Sequence, residues 1–179
     1  MLSEMKQINN GSDEPIYEGS AVYRTGAIWR NNMVIGIFGE NCSGKSTLAE
    51  AMRDALAAEI ITGKDYLRMA KAEADARALF REKLERTVVG DHVIYVISEP
   101  DQLALLPDGA VRILVQADLE TIKARFRARM RGSLPAPVEK MLEHKHGMFD
   151  REPCDFRFDG VSGDAAALCE QLVKQQKGH

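Results

Sequence analysis

Residues 39–46 constrain this chain more than any other feature, because they match the phosphate-binding pattern G-x-x-x-x-G-K-[ST] at every fixed position. With the next residue they form the phosphate loop: Gly39, Glu40, Asn41, Cys42, Ser43, Gly44, Lys45, Ser46 and Thr47. A phosphate needs backbone N–H donors around it and a positive helix end pointing at it, which explains the glycines and a helix that begins at the lysine. The loop predicts a nucleoside triphosphate site in which Lys45 reaches the β- and γ-phosphates and Ser46 coordinates Mg²⁺.

The segments around the loop supply the strand and the helix that such a loop joins. Residues 33–38 form a short apolar run, and residues 48–56 follow with helical spacing. Further strands are predicted at 59–62, 93–98, 111–116 and 156–159, and helices at 65–86, which could divide in two, 118–130, 136–147 and 164–176. Strands that alternate with helices favour an α/β fold whose parallel sheet is covered on both faces.

The composition is that of one ordinary globular domain. The 179 residues are 45% hydrophobic and 28% charged, and the domain is expected to span residues 33–179. Residues 1–32 are polar and weakly patterned, so we interpret them as an N-terminal extension that could form a short hairpin.

Charge and residue usage argue against several classes of protein. A net charge of −3 argues against a protein whose main activity is binding a nucleic-acid backbone or an anionic membrane. No apolar run approaches the ~20 residues that span a bilayer, and the N-terminus lacks a signal-peptide core, so the chain is expected to be cytoplasmic. Neither the three cysteines nor His144 and His146 show metal-ligand spacing. The sequence leaves open whether the protein is a monomer or a homodimer.

Residues 62–68, Thr-Gly-Lys-Asp-Tyr-Leu-Arg, follow the second predicted strand and are called the acceptor segment below. Ligands of a parallel sheet gather at the carboxyl ends of its strands, where the phosphate loop also lies. Thr62 could contact an acceptor, Arg68 could bind its negative charge, and Asp65 could accept the proton of an attacking hydroxyl or hold Mg²⁺ through water. The structural alternative is that Asp65 only caps a helix, and the two roles are compatible.

Arginines recur at positions 125, 127, 129 and 131, before a Gly-Ser-Leu-Pro break. Arg125 and Arg129 share one face of the predicted helix. A basic helix that leads into a flexible loop can carry cations over an active site and neutralise charge as a phosphoryl group transfers. We therefore expect a lid at about residues 125–150, in which at least one of Arg125, Arg129 and Arg131 is catalytic. A solvated basic helix is the alternative.

The phosphate loop, the acceptor segment and the arginine-rich helix together resemble the small P-loop kinases, which include nucleoside monophosphate, shikimate, gluconate and adenylylsulfate kinases. The resemblance covers about residues 33–176. It implies a three-layer α/β/α P-loop NTPase fold with a central, mainly parallel five-stranded sheet, a small helical lid, ATP and Mg²⁺. The acceptor segment is similar to the Thr-Gly-Asp-x-x-Arg segment of adenylate kinases, with Lys64 inserted before the acid. By the same resemblance, Arg125 and Arg129 match lid arginines that contact ATP and the moving phosphoryl group.

The resemblance also bears on the metal and on the nucleotide base. Many of these kinases have an aspartate at the end of the third strand, where this chain has Ser98 and Glu99. Glu99 is therefore the implied substitute, and with Ser46 it completes the predicted set of metal ligands. Residues 159–160 lie where related kinases place a loop near the nucleotide base.

Three functions remain open at this stage. The first is transfer of the γ-phosphate of Mg-ATP to a small anionic acceptor, with a nucleoside monophosphate as the leading class. The second is a kinase for a non-nucleotide hydroxyl compound such as a sugar acid, which the inserted Lys64 favours. The third is a regulatory module that binds a nucleotide and hydrolyses it slowly. A guanine-reading Asn/Thr-Lys-x-Asp sequence is absent, which favours ATP without excluding GTP.

Overall fold

The computed structural model describes residues 33–86 and 92–177. In this part of the chain the elements are β1 (Met33–Phe38), α1 (Lys45–Leu56), β2 (Glu59–Thr62), α2 (Glu73–Glu85), β3 (His92–Ile97), β4 (Val111–Gln116), α3 (Leu119–Arg129), α4 (Ala136–Lys145), β5 (Phe156–Asp159) and α5 (Ala165–Lys177). Two 3₁₀ helices, Asp65–Met69 and Pro100–Leu105, follow β2 and β3. None of the helices in these ranges is both long and apolar enough to cross a membrane. The extension predicted at residues 1–32, with its hairpin, lies outside the described residues.

The five strands form one sheet in the order β2-β3-β1-β4-β5, and every pairing in it is parallel. β1 and β3 pair along their whole length, from Met33 opposite His92 to Phe38 opposite Ile97. β1 therefore lies at the centre, and the phosphate loop leaves the sheet between the ends of β3 and β4. This arrangement confirms the predicted five-stranded parallel sheet.

Alternate residues of each strand point to opposite faces of the sheet, and helices cover both faces. Both faces are therefore buried. On one side, Ile35 and Ile94 belong to a core that includes residues of α1 and α5. On the other side, Phe38 and Tyr95 belong to a core that includes Phe80 of α2 and residues of both 3₁₀ helices. The fold is thus the predicted three-layer α/β/α arrangement.

The helix predicted at residues 65–86 is divided, as the sequence allowed. The 3₁₀ helix Asp65–Met69 ends at Ala70, whose backbone is extended with φ −151° and ψ 164°, and α2 begins at Glu73. The rings of Tyr66 and Phe80 stack across the break with their centroids 5.5 Å apart. The acceptor segment consequently has a short helix of its own, packed on α2.

Candidate active site

The phosphate loop joins the end of β1 to the first residue of α1, and its backbone requires glycine at two positions. Gly39 and Gly44 have φ values of 147° and 116°, which residues with a Cβ rarely adopt. A Cβ on Gly39 would also collide with the carbonyl oxygen of Val115. No side chain caps the N-terminus of α1 among the described residues, so its first N–H groups are available to a phosphate.

Lys45 is buried and turns back onto its own loop. Its Nζ donates to the carbonyl oxygens of Gly39 at 2.8 Å and Glu40 at 2.6 Å. Burial is the main reason that the pKa of Lys45 is lowered to about 8, and the positive charge of Arg129 adds to the effect. A triphosphate would favour the charged form of Lys45, because an opposite charge at hydrogen-bond distance stabilises an ammonium group.

Three predicted segments line one cleft of about 1110 Å³ at the carboxyl edge of the sheet: the phosphate loop, the acceptor segment and α3. The end of β3 and the turn after β5 complete the lining. The predicted site residues that line it are Asn41, Cys42, Gly44, Lys45, Ser46, Thr47, Thr62, Asp65, Arg68, Arg125 and Arg129. Gly39, Glu40 and Ser43 instead line a separate cavity of about 120 Å³. Glu99 and Arg131 line neither space.

Arg125 of α3 links the phosphate loop to the turn after β5. Its guanidinium donates to the carbonyl oxygens of Cys42 at 3.1 Å, Ser43 at 3.0 Å and Gly160 at 2.8 Å. Gly160 leaves no room for a side chain, because a Cβ there would collide with the carbonyl oxygen of Ser43. The turn that the resemblance placed near the nucleotide base therefore touches the phosphate loop directly, and Arg125 holds the two together.

Arg129 lies one helical turn beyond Arg125 and also lines the cleft. Its side chain makes no hydrogen bond or ion pair within the described part of the chain, so it can turn toward a phosphoryl group. Arg131 follows the end of α3 in a left-handed conformation, with φ 58°, and is exposed outside the cleft. The predicted arginines thus occupy three different environments, and Arg129 is the one that lines the cleft with an uncommitted charge.

The acceptor segment presents Thr62, Asp65 and Arg68 to the cleft. The carboxylate of Asp65 accepts from Thr62 Oγ1 at 2.5 Å and from Thr62 N at 3.2 Å. The hydrogen bond from the Thr62 side chain is the main reason that the pKa of Asp65 is lowered, and it keeps the carboxylate ionised. Arg68 is 87% exposed, with its nearest nitrogen 3.8 Å from Asp65 Oδ1. Asp65 therefore bonds back to the last residue of β2 and faces the cleft, and no side chain caps the short helix among the described residues.

The end of β3 supplies a hydroxyl to the cleft rather than a carboxylate. Ser98 lines the cleft, whereas both oxygens of Glu99 contact Lys145 Nζ, at 3.2 and 3.3 Å. Across residues 33–86 and 92–177, no group of three or more His, Cys, Asp or Glu residues could hold a metal ion. The cleft still fits Mg²⁺ that arrives with a triphosphate, because this ion keeps several waters and needs few protein ligands. Ser46 and Asp65 both line the cleft and carry oxygen atoms of the kind this ion binds.

The end of α4 contacts the phosphate loop in a way that sequence reasoning missed. Glu40 accepts a hydrogen bond from the backbone N–H of Gly147 at 2.8 Å, and its carboxylate lies 3.1 Å from His146 Nδ1. The lid predicted at about residues 125–150 includes His146, but the sequence named no partner for it. No local signal could have found one, because Glu40 and His146 are 106 positions apart.

The sheet order, the phosphate loop after the central strand and the helices on both faces define the fold of the P-loop kinases. The chain is similar to a shikimate kinase from Acinetobacter baumannii, with a TM-score of 0.56 and 14% identity over 83% of this chain and 95% of that one. It is also similar to a gluconokinase from Sinorhizobium meliloti, with a TM-score of 0.55 and 18% identity over 83% and 98% of the two chains.

A third similar structure is a deoxyadenosine kinase from M. mycoides, with a TM-score of 0.51 and 14% identity over 81% of this chain and all of that one. No protein-family model matches the chain, and no curated protein matches it in sequence. At these identities the similarity establishes the fold alone.

Proposed function

We propose that this protein is a phosphotransferase that moves the γ-phosphate of ATP to a small anionic acceptor. The observation that carries the proposal is the convergence of the phosphate loop, the acceptor segment and α3 on one cleft. A phosphate loop alone would serve any nucleotide-binding protein. A second set of polar side chains that faces the same cleft supports a second substrate. The fold is shared with kinases named for shikimate, gluconate and deoxyadenosine, which agrees with phosphoryl transfer.

Each cleft residue has a distinct role in this proposal. Lys45 and Arg129 provide positive charge where it develops on the transferring phosphoryl group. The ionised carboxylate of Asp65 accepts a hydrogen bond from the attacking hydroxyl and orients it, while Arg68 binds the negative charge of the acceptor. Residues 125–150 form the lid that excludes water from the cleft.

Mg²⁺ bound with the triphosphate would neutralise charge on the β- and γ-phosphates. Ser46 is the proposed direct ligand, because it stands at the start of α1 and lines the cleft. Asp65 is a proposed ligand through water. Glu99 is the remaining proposed ligand, and it would first have to release Lys145. ATP is the proposed nucleotide, with GTP as the alternative.

A nucleoside monophosphate is the first acceptor class, because residues 62–68 are similar to the corresponding segment of adenylate kinases. A non-nucleotide hydroxyl compound such as a sugar acid is the second class, and one structural observation favours it. Within the described ranges, no aromatic side chain lines the cleft, so the base of a nucleotide acceptor bound beside residues 62–68 would find no ring on which to stack. Thr62, Lys64, Asp65 and Arg68 instead offer hydroxyl and charged groups that suit a polyhydroxy acid.

The test follows the labelled phosphate. The purified chain is incubated with Mg²⁺ and γ-labelled ATP against a panel of nucleoside monophosphates and small hydroxy acids. Lys45→Ala is the negative control. We expect label on one acceptor, and none with Lys45→Ala.

The alternative outcome is equally informative. Tight ATP binding with only slow phosphate release, whatever acceptor is added, would overturn the kinase proposal and favour a regulatory nucleotide-binding module. Arg129→Ala separates these functions further, since a kinase loses transfer while a regulatory module retains its nucleotide affinity and slow turnover.

A further inference from the structure

The turn after β2, at Gly63, is hydrogen-bonded to two residues of β3. The backbone N–H of Gly63 donates to the carbonyl oxygen of Val96 at 2.8 Å. The hydroxyl of Tyr95 donates to the carbonyl oxygen of Gly63 at 2.9 Å. Both polar backbone groups of Gly63 are therefore bonded to neighbouring residues of one buried strand.

Tyr95 is a rigid support for this turn. Its side chain is fully buried, and its ring meets the ring of Phe80 edge-on, with centroids 4.9 Å apart and an interplanar angle of 70°. Phe80 in turn stacks on Tyr66. Burial raises the pKa of Tyr95, so its hydroxyl stays protonated and remains a donor.

On the side that faces the cleft, Gly63 makes no comparable contact in the described part of the chain. Gly63 has a left-handed backbone, with φ 46°, and a Cβ built on it would meet no atom within 4 Å. Gly63 itself lines the cleft, between Thr62 and Asp65, which are hydrogen-bonded to each other. Movement of the Gly63 peptide would carry both of these side chains with it. The positions of Thr62 and Asp65 thus depend on the two hydrogen bonds between Gly63 and β3.

We infer that Tyr95 is a positioning residue for the acceptor: through the Gly63 carbonyl it sets where Thr62 and Asp65 stand in the cleft. This inference rests on the function proposed above. Tyr95 does not line the cleft and touches neither substrate, so its effect is exerted on acceptor binding and not on the nucleotide.

The chain contains a matched control for the test. Tyr66 belongs to the same aromatic stack and is 1% exposed, but its hydroxyl has no hydrogen-bond partner among the described residues. Tyr95→Phe and Tyr66→Phe therefore remove the same atom from neighbouring buried rings. Only the first substitution releases the turn.

The experiment measures the full chain in two ways. Hydrogen exchange of residues 62–68 is followed by mass spectrometry, and steady-state kinetics are recorded with the acceptor found in the labelling panel. For Tyr95→Phe we expect roughly fivefold faster exchange and a roughly fivefold higher acceptor KM, the size of one lost hydrogen bond. The ATP KM should stay close to that of Tyr66→Phe, whereas the melting temperature should lie a few degrees lower, because only Tyr95→Phe removes a hydrogen bond.

Equal exchange and equal acceptor KM in the two variants would overturn the inference, as would faster exchange with an unchanged acceptor KM. If the wild-type chain phosphorylates nothing in the panel, the proposed function fails on its own. The exchange comparison then still decides whether Tyr95 holds the turn, since it requires no activity.

Discussion

The two halves of the cleft are built in different ways. The nucleotide half, formed by the phosphate loop, Arg125 and the turn at Gly160, is fastened through backbone groups: Arg125 binds three carbonyl oxygens and Lys45 binds two. The acceptor half, residues 62–68, presents side chains that are largely open to solvent. Asp65 is 42% exposed in its side chain and Arg68 is 87% exposed.

This difference indicates a division of labour. The backbone N–H groups of a phosphate loop would recognise a phosphate, which is common to all nucleoside triphosphates, and they change little when surrounding side chains change. Exposed side chains on a turn can be replaced without disturbing the core. We therefore expect changes in the nucleotide half to affect folding and nucleotide binding together. Changes in the acceptor half should affect the acceptor alone.

Lys45→Ala is expected to have the largest effect, because it removes the buried cation that would face the triphosphate in the proposed function. Phosphoryl transfer should fall by roughly 10²- to 10³-fold, and nucleotide affinity should fall with it. Lys64→Ala is the matched control, since Lys64 lines the acceptor side of the same cleft. Isothermal calorimetry with a non-hydrolysable ATP analogue should show normal affinity for Lys64→Ala. Weakened binding there would contradict the division between the halves.

Gly160→Ala tests the packing of the nucleotide half. The new methyl group would collide with the Ser43 carbonyl, so we expect a loss of about 3 kcal/mol in the free energy of unfolding, together with weaker ATP binding. Gly63→Ala in the acceptor half meets open space and costs only the left-handed backbone strain, about 1 kcal/mol. Denaturant unfolding and calorimetry measure both. Normal ATP affinity in Gly160→Ala would show that the turn does not support the loop.

Arg125→Ala and Arg129→Ala should distinguish a structural role from a catalytic role for two arginines on one face of α3. Loss of Arg129 should lower kcat by about ten- to a hundredfold with little change in ATP affinity, because its charge is needed only as the phosphoryl group moves. Loss of Arg125 should weaken ATP binding and lower the melting temperature, because three carbonyl oxygens lose their donor. Identical kinetic and thermal profiles for the two variants would refute this assignment.

The smallest expected effect is on pH dependence. Since burial lowers the pKa of Lys45 to about 8, the free protein loses this charge above that pH, whereas the bound phosphate favours the charged form. The ATP dissociation constant should be flat below pH 8 and rise above it by at most about tenfold per pH unit. Lys45→Arg, which stays charged, should flatten the rise. Because the lowered pKa of Asp65 keeps its carboxylate ionised, the acceptor KM should stay constant over the same range, and a parallel rise in that KM would contradict this account.

Much of the fold could be predicted because the signals are local. The bounds predicted for β2, β4 and β5 agree with the structure at both ends, and α3 differs by one residue at each end. Apolar runs, helical spacing and glycine breaks are each recognisable within about a dozen residues, which is the range over which periodicity can be read. The break in the helical region at residues 65–86 is the exception, because the sequence allowed two helices but did not place the break between them. The break depends on the packing of Tyr66 against Phe80, which lies beyond that range.

The candidate site could be predicted in its parts but not in its connections. The phosphate loop, the acceptor segment and Arg129 were all found from residue type and spacing, and the structure brings them to one cleft. The hydrogen-bonded contact of Arg125 with carbonyl oxygens was not foreseen. The ion pair of Glu99 with Lys145 was not foreseen either, so the role of Glu99 as a metal ligand stays a prediction.

The sequence by itself determined the three-layer fold, the phosphate loop and the residue types around it, because local spacing and backbone conformation encode them. Only the tertiary structure decided which groups meet across the site. Arg125 and Cys42 are 83 positions apart, and Glu40 and Gly147 are 107 positions apart. Such contacts depend on how packed elements are placed relative to one another, and that placement is a property of the whole core and not of any one segment.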